Sequence, residues 1–343
     1  MVQDLRRRIR AELPRCDLVT FGSAATGLWL PGRDVDLSLQ VPGLRGRIET
    51  KQVLHRVASL IHGFSGDKPE NRLAAKMPLL RWVPQGTLPS CDITVNNDLA
   101  VENSRLVTAY LMAEPLLRKL LILIKTWAFA RGINDRSEGT LSSFALTLMV
   151  VHLLQRRQRL PSLQDLAILH GLPRREVQQV DCRFCTDSAI LEKEGLKFLS
   201  PSSLGACLMD FFKFYGTEYK GGIVSIRNVD GNPPSWASGK FLFIDNPFEP
   251  GKDVANVELG QLARLREELR KAHSALRRGK SVEELCEQRS WLARDVQESK
   301  RAGAGDDVDS FFASSNTSSL TSCAVFFFAR SVEFGHAIAS GWR

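Results

Sequence analysis

Asp34 and Asp36 stand two residues apart in a run where Val35, Leu37, Leu39 and Val41 alternate with polar neighbours. That alternation predicts a half-buried strand over residues 35–41, and it sends both carboxylates to the polar face. A third carboxylate, Asp92, lies in the β-prone run 91–95. Three carboxylates gathered at strand edges repel one another unless cations lie between them, and hard divalent ions such as Mg²⁺ take oxygen ligands. Two such ions, typically ~3.5–4 Å apart, activate an attacking hydroxyl and stabilise a leaving pyrophosphate. Upstream, the apolar run 18–21 ends at Gly22-Ser23. Gly22 lets the backbone approach a phosphate closely, and the Ser23 hydroxyl can donate to it. An Asp-x-Asp alone is more often a solvated strand face. The ordered set of strand, Gly-Ser turn, Asp-x-Asp and a hairpin returning with Asp92 is far more specific.

Elements that could position these groups follow from the pattern of the chain. Residues 4–13 read as a short basic helix and 51–61 as another. Residues 77–83 and 91–95 read as strands joined through Pro84-Gln85-Gly86-Thr87. From Asp98 the spacing becomes helical, over 99–112, 115–131 and 141–156, with Pro115 in a first turn and Thr140 as the expected cap. A further helical stretch surrounds 204–215. Short strands are expected at 223–227 and 241–244 around a Gly/Pro-rich loop at 230–239, and residues 258–276 form an amphipathic helix. Past 301 the composition turns to Gly, Ala, Ser and Asp, which predicts a poorly ordered tail that is dispensable for chemistry.

The 343 residues carry 46 Lys and Arg against 38 Asp and Glu, a net charge of +8 that favours an anionic partner, nucleic acid first and a membrane surface second. No apolar run reaches the roughly 18 residues of a membrane span. The seven cysteines are scattered and odd in number, a poor disulfide framework that fits a reducing compartment. No secretory signal is visible, and Asp4 and Glu12 argue against a transit peptide despite Arg6, Arg7, Arg8 and Arg10. Cys182 and Cys185 form one lone pair with no second pair at zinc spacing.

The stretch Phe21-Gly22-Ser23-Ala24-Ala25-Thr26-Gly27 through Arg33-Asp34-Val35-Asp36-Leu37 resembles the opening motif of the non-canonical poly(A) polymerases and terminal uridylyltransferases, within the polymerase-β-like nucleotidyltransferases. Four further blocks match in the family's order: Cys91-Asp92-Ile93 through Asn96-Asn97, Lys125-Thr126-Trp127-Ala128, Gly139-Thr140-Leu141-Ser142-Ser143-Phe144, and Asp245-Asn246-Pro247-Phe248-Glu249. The resemblance implies an α+β fold: a nucleotidyltransferase domain with a mixed sheet over residues 1–105, a mainly helical central domain over 106–280, and an extension over 281–343.

It also implies roles. Asp34, Asp36 and Asp92 fall on the metal-binding carboxylates, which are expected to hold two Mg²⁺ ions with Mn²⁺ as a substitute. Gly22 and Ser23 fall on the triphosphate loop, Asn97 on the residue holding the ribose 2′-hydroxyl, and Lys125 on a triphosphate lysine. Ser143, with Ser142 beside it, falls on a phosphate-binding position, and Phe144 on the aromatic that stacks the base. Asn246 and Glu249 fall in the base-reading loop. Residue by residue, Asn97 could instead cap a helix, Ser143 could be a first-turn residue and Phe144 could be core. Phe129 stands where many members carry a second lysine, so triphosphate affinity is either weaker or restored by Lys119 or Arg118. Asn246 replaces a frequent Asp, and Lys252 stands where some members carry a histidine that favours uracil.

The implied activity is template-independent addition of nucleotides to an RNA 3′-hydroxyl, with UTP as the expected substrate and ATP as the alternative. A transferase acting on a protein or small molecule, and a catalytically dead RNA-binding scaffold, are the competing readings. The expected partners are an RNA 3′ end, the nucleotide and a protein supplying RNA specificity, with no membrane. The expected setting is intracellular and reducing, cytoplasmic before nuclear or mitochondrial.

Overall fold

The computed structural model describes residues 1–44, 46–195, 203–227, 235, 240–255 and 257–287. Helix α1 (Val2–Glu12) buries Leu5 and Ile9 and leads into strand β1 (Asp17–Phe21), the single-turn helix α2 (Gly22–Thr26) and strand β2 (Val35–Gln40). Helix α3 (Gly46–Ser65) then precedes β3 (Glu70–Arg72), β4 (Leu79–Trp82) and β5 (Cys91–Val95). These strands form one five-stranded sheet in the order β1-β2-β5-β4-β3. β2 and β5 run parallel, whereas β1 with β2, β4 with β5 and β3 with β4 are antiparallel.

The alternation in β2 is what fixes this sheet. Leu37 and Leu39 are wholly buried and Val35 nearly so, packing with Leu54, Val57 and Ile61 of α3 and with Leu5 and Ile9 of α1. Burying each such side chain contributes about 1.5–3 kcal/mol, and a one-residue slip would exchange Leu37 for Asp36 on that face.

The rest of the described chain is mainly helical. It comprises α4 (Asp98–Ala113), α5 (Pro115–Ala130), α6 (Ser143–Arg156), α7 (Leu163–Leu169), the paired short strands β6 (Glu176–Val177) and β7 (Val180–Asp181), and α8 (Ser188–Gly195). After these come α9 (Leu204–Lys213), the parallel pair β8 (Ile223–Val224) and β9 (Phe243–Ile244), α10 (Leu259–Arg277) and α11 (Val282–Cys286). Two hydrophobic cores result. One joins the sheet to α1 and α3; the other runs through the helices from Leu106 to Leu285 and takes in Leu28 from the loop after α2. Leu285 belongs to the second core, so packed chain continues past residue 280, where the extension was expected to begin.

The α+β architecture agrees with the sequence expectation, and three local expectations do not. β3 was not foreseen, because Glu70, Asn71 and Arg72 are all exposed on an edge strand and carry no apolar alternation. Thr140 does not cap α6. Ser142 does, accepting from the Ala145 amide at 3.0 Å, while the Thr140 hydroxyl donates to the Asp135 carbonyl at 2.7 Å and accepts the Asp135 amide. A cap is chosen by reach to a free first-turn amide, and Thr140 is spent on closing the preceding turn. The strands at 223 and 243 are each two residues long. Most of the 230–239 loop and the whole tail past 301 lie outside the described residues.

Candidate active site

Strand register builds the acidic cluster. Asp36 pairs with Asp92 across the parallel β2 and β5, Phe21 flanks Asp36 on β1, and Arg81 flanks Asp92 on β4. Asp34, two residues before Asp36, enters at the same edge. The Arg81 guanidinium bridges the outer carboxylates, donating from one Nη to Asp34 Oδ1 at 2.7 Å and from the other to Asp92 Oδ2 at 3.4 Å. The Ser90 hydroxyl also donates to Asp34. Burial, reinforced by the charges of Asp92 and Asp34, pushes the Asp36 carboxyl up to about 7, with Lys125 opposing the shift. Burial also raises Asp92, against the pull of Arg81. Asp92 Oδ1 is shielded from water and has no hydrogen-bond donor.

Among the described residues, no three Asp, Glu, His or Cys side chains close on a single point as they stand, since Arg81 sits between Asp34 and Asp92. The donor set nevertheless fits a hard cation. It is all oxygen, it holds an orphaned buried acceptor, and it makes one carboxylate expensive to ionise.

Gly22 opens α2 with φ +66°, and a Cβ there would lie 2.4 Å from Asp36 Oδ2. Only glycine allows the turn to press this closely on the carboxylate. The Gly22 amide donates to Ser104 Oγ at 2.8 Å, so α4 anchors the turn. Ser38, two residues beyond Asp36 on the same face, accepts the Asn97 amide at 3.0 Å and so fixes the start of α4 beside the carboxylates. Asn97 occupies the cap position of α4, but its side chain makes no capping bond. Its neighbour Asn96, in left-handed backbone at φ +47°, bonds both the amide and the carbonyl of Val41. Ser38, Ser104 and Asn96 were not foreseen. The signal available for Ser38 was its place on the Asp-x-Asp-x-Ser face.

Helix α5 clamps the loop that leaves α2. Arg118 donates to the carbonyls of Thr26 and Gly27 at 3.0 and 2.9 Å. Lys125 is buried and donates to the Leu28 carbonyl at 2.5 Å. Burial first, and the nearby Arg33 second, bring its ammonium down to about 8. Arg118 thus braces the loop through Nη1, while Lys119 is exposed on α5.

At the start of α6 the Ser142 oxygen is used in capping, and Ser143 Oγ donates to Asn134 Oδ1 at 3.1 Å. Phe144 is half-buried at the edge of the helical core. Across the helical part, Asn246 is buried and its side-chain amide bonds within its own turn. Nδ2 donates to Glu249 Oε2 at 2.9 Å, and Oδ1 accepts the amides of Phe248 and Glu249. Lys252 Nζ meets both Glu249 oxygens at 2.8 and 2.7 Å. Asn246, expected to donate to the base, sits in a turn that holds Glu249 and Lys252 together. Cys182 and Cys185 are buried free thiols of the helical core, both raised by burial.

Residues 1–112 match the model of the mitochondrial-like poly(A) RNA polymerase central palm domain. The poly(A) RNA polymerase cid11 of Schizosaccharomyces pombe is 27% identical over 299 residues, covering 83% of this chain and 59% of that protein. The poly(A) RNA polymerase GLD2 of Homo sapiens is 30% identical over 262 residues, covering 71% of this chain and 52% of that protein. The chain thus spans little more than half the length of these relatives. Among solved structures, the Cid1 poly(U) polymerase bound to MgGTP superposes with a TM-score of 0.71 at 27% identity, covering 84% of this chain and 91% of that one.

Proposed function

The chain belongs to the non-canonical poly(A) polymerase and terminal uridylyltransferase family of polymerase-β-like nucleotidyltransferases, and on that premise we propose that it extends RNA 3′ ends without a template. The observation that carries this reading is the in-register pair Asp36 and Asp92, with Asp34 at the same edge and Gly22 pressed against Asp36. Divalent ions held by Asp34, Asp36 and Asp92, two Mg²⁺ in this reading with Mn²⁺ as a substitute, would supply the positive charge that activates the RNA 3′-hydroxyl and offsets charge on the departing pyrophosphate. The turn at Gly22 and Ser23 brings backbone against the triphosphate, Lys125 holds the loop beside it, and Phe144 offers a ring face to the base. Ser143, oriented by Asn134, offers a hydroxyl at the helix end, where first-turn amides favour anions. Retention of all three carboxylates supports an enzyme over an inert scaffold. We divide the chain into a nucleotidyltransferase domain over 1–105 and a helical domain beyond it, a reading supported by two cores, although Leu28 and Leu99 of the first segment pack in the helical core. We assign it a reducing intracellular setting, cytoplasmic first, a reading supported by the six free cysteines among the described residues. No described helix is long and apolar enough to cross a membrane.

Incubation of the protein with labelled RNA, Mg²⁺ and each NTP separately tests the activity; extension by none of them would refute it.

Ribonucleotide preference is expected to run through Asn97. An amide both donates to and accepts from a 2′-hydroxyl, and a site built for that bond rejects analogues lacking it, here by about tenfold or more. Equal kcat/KM for UTP and dUTP would remove Asn97 from this role.

For the base we propose UTP, with ATP as the alternative. Glu249 accepts from uracil N3–H, and Lys252, fixed on Glu249, donates to a flanking carbonyl. A mismatched buried donor or acceptor costs about 1–3 kcal/mol, so kcat/KM is expected to favour UTP by about tenfold on one RNA primer. An ATP value equal or higher would reverse the assignment.

A further inference from the structure

Three side chains on one stripe of α5, Arg118, Lys125 and Phe129, face the loop that joins α2 to β2. The two cations each donate there, to the carbonyls of Thr26, Gly27 and Leu28. The third position is half-exposed Phe129, with 49% of its surface accessible, where a cation would be expected if α5 alone neutralised a polyphosphate. That ring is covered by a cation from the facing loop itself. The Arg33 guanidinium lies 4.1 Å from the Phe129 ring centroid, within the range of a cation–π contact. The contact holds the guanidinium over the ring, one residue before Asp34. The Arg33 backbone is also fixed, since its carbonyl accepts from Trp29 Nε1 at 2.8 Å.

Arg33 Nη2 is shielded from water and has no hydrogen-bond partner. A buried guanidinium N–H without an acceptor is uncommon and calls for one. The charges of Asp135 and Asp34 lie near the Arg33 guanidinium, and Arg33 lies near Lys125. Guanidinium is the side chain best matched to phosphate oxygens, through charge-assisted and often paired bonds.

We propose that Arg33, held over the Phe129 ring, is a binding residue for the terminal phosphates of the incoming nucleoside triphosphate. It does from the β2 side of the cleft what a second cation on α5 would do. This rests on the nucleotidyltransferase reading above and assigns a residue to it. Phe129 is the positioning residue: it holds the guanidinium and does not itself touch phosphate.

The test is calorimetric titration of the full chain, in the presence of Mg²⁺, with UTP, ATP and the corresponding monophosphates. Arg33→Met is expected to weaken triphosphate binding about tenfold and monophosphate binding less than twofold, since only the triphosphate reaches the guanidinium. Adding Phe129→Lys to Arg33→Met returns a cation to the same cleft from α5, and is expected to recover triphosphate affinity to within about threefold of wild type. Unchanged triphosphate affinity in Arg33→Met overturns the proposal, as does equal weakening of triphosphate and monophosphate or failure of Phe129→Lys to rescue. Should Arg33→Met not fold, Phe129→Leu at its exposed position serves instead. About threefold weaker triphosphate binding is then expected from the freed guanidinium, and no change overturns the proposal. Failure of the wild type to bind either triphosphate would sink the enzyme reading and Arg33 with it. Wild-type binding left intact in the variants sinks Arg33 alone.

Discussion

Asp36→Asn is expected to cut nucleotide incorporation about a thousandfold, a loss of ~4 kcal/mol of transition-state stabilisation, without weakening the fold. The two halves of this expectation have one origin. Asp36 is the most enclosed carboxylate of the cluster, and burial together with Asp92 and Asp34 holds it near 7. A carboxyl whose folded value lies above its unfolded value loses stability for the protein as pH rises from about 4 through 7, because the folded state must then hold a charge it disfavours. An amide of the same shape carries no such charge. In chelator-treated protein, Asp36→Asn is therefore expected to approach wild type in Tm only below about pH 4 and to exceed it by a growing margin up to pH 8. The same substitution removes the negative charge that draws a divalent ion, so extension of labelled RNA falls. A folded Asp36→Asn that extends RNA at the wild-type rate would contradict the assignment. A Tm lower than wild type at pH 8 would show that Asp36 is needed for packing.

The acidic face was legible because it is written in local pattern: alternation sets the side of the strand, and spacing two puts Asp34 and Asp36 together. Its partner in the sheet was legible only in part. The hairpin 79–95 was foreseen from its turn residues, but nothing in the sequence marks Arg81 as the side chain that bridges Asp34 and Asp92. That contact depends on β4 lying beside β5 in one particular register, a tertiary outcome. Ser104, which holds the Gly22 amide, is 82 residues away in sequence and looks like any helical serine. The base-reading loop shows a contact that the resemblance did not carry. Resemblance located Asn246 and Glu249, yet their side chains pair with each other and with Lys252. A short polar side chain preceding a turn satisfies the nearest backbone amides first, so Asn246 serves the turn. Phe129 reads as a missing cation in the sequence. In space it is the surface on which Arg33 rests.

Gly22→Ala is expected to lower incorporation about a hundredfold, ~2.7 kcal/mol, by moving Asp36. Two costs are combined at this position and can be separated. The first is conformational: at φ +66° an L-residue with a Cβ loses roughly 1–2 kcal/mol relative to glycine. The second is collision: the added Cβ would stand 2.4 Å from Asp36 Oδ2 and 3.2 Å from its Cγ, far inside van der Waals contact. Backbone on α2 cannot yield easily, because Ser104 holds the Gly22 amide at 2.8 Å and Arg118 holds the carbonyls at the far end of the turn. The carboxylate must therefore turn, and a displacement of about 1 Å in a reacting constellation costs on the order of a hundredfold. Gly43 supplies the control. It sits at φ +74°, and a Cβ added there would meet nothing within 4 Å. Gly43→Ala thus bears the conformational cost alone, and is expected to lower Tm by a few degrees with near-normal kcat. Measured side by side, Gly22→Ala should show a similar fall in Tm and a far larger fall in kcat. Equal activity in the two variants would assign the whole effect to backbone strain and leave the close approach of Gly22 to Asp36 without a catalytic consequence.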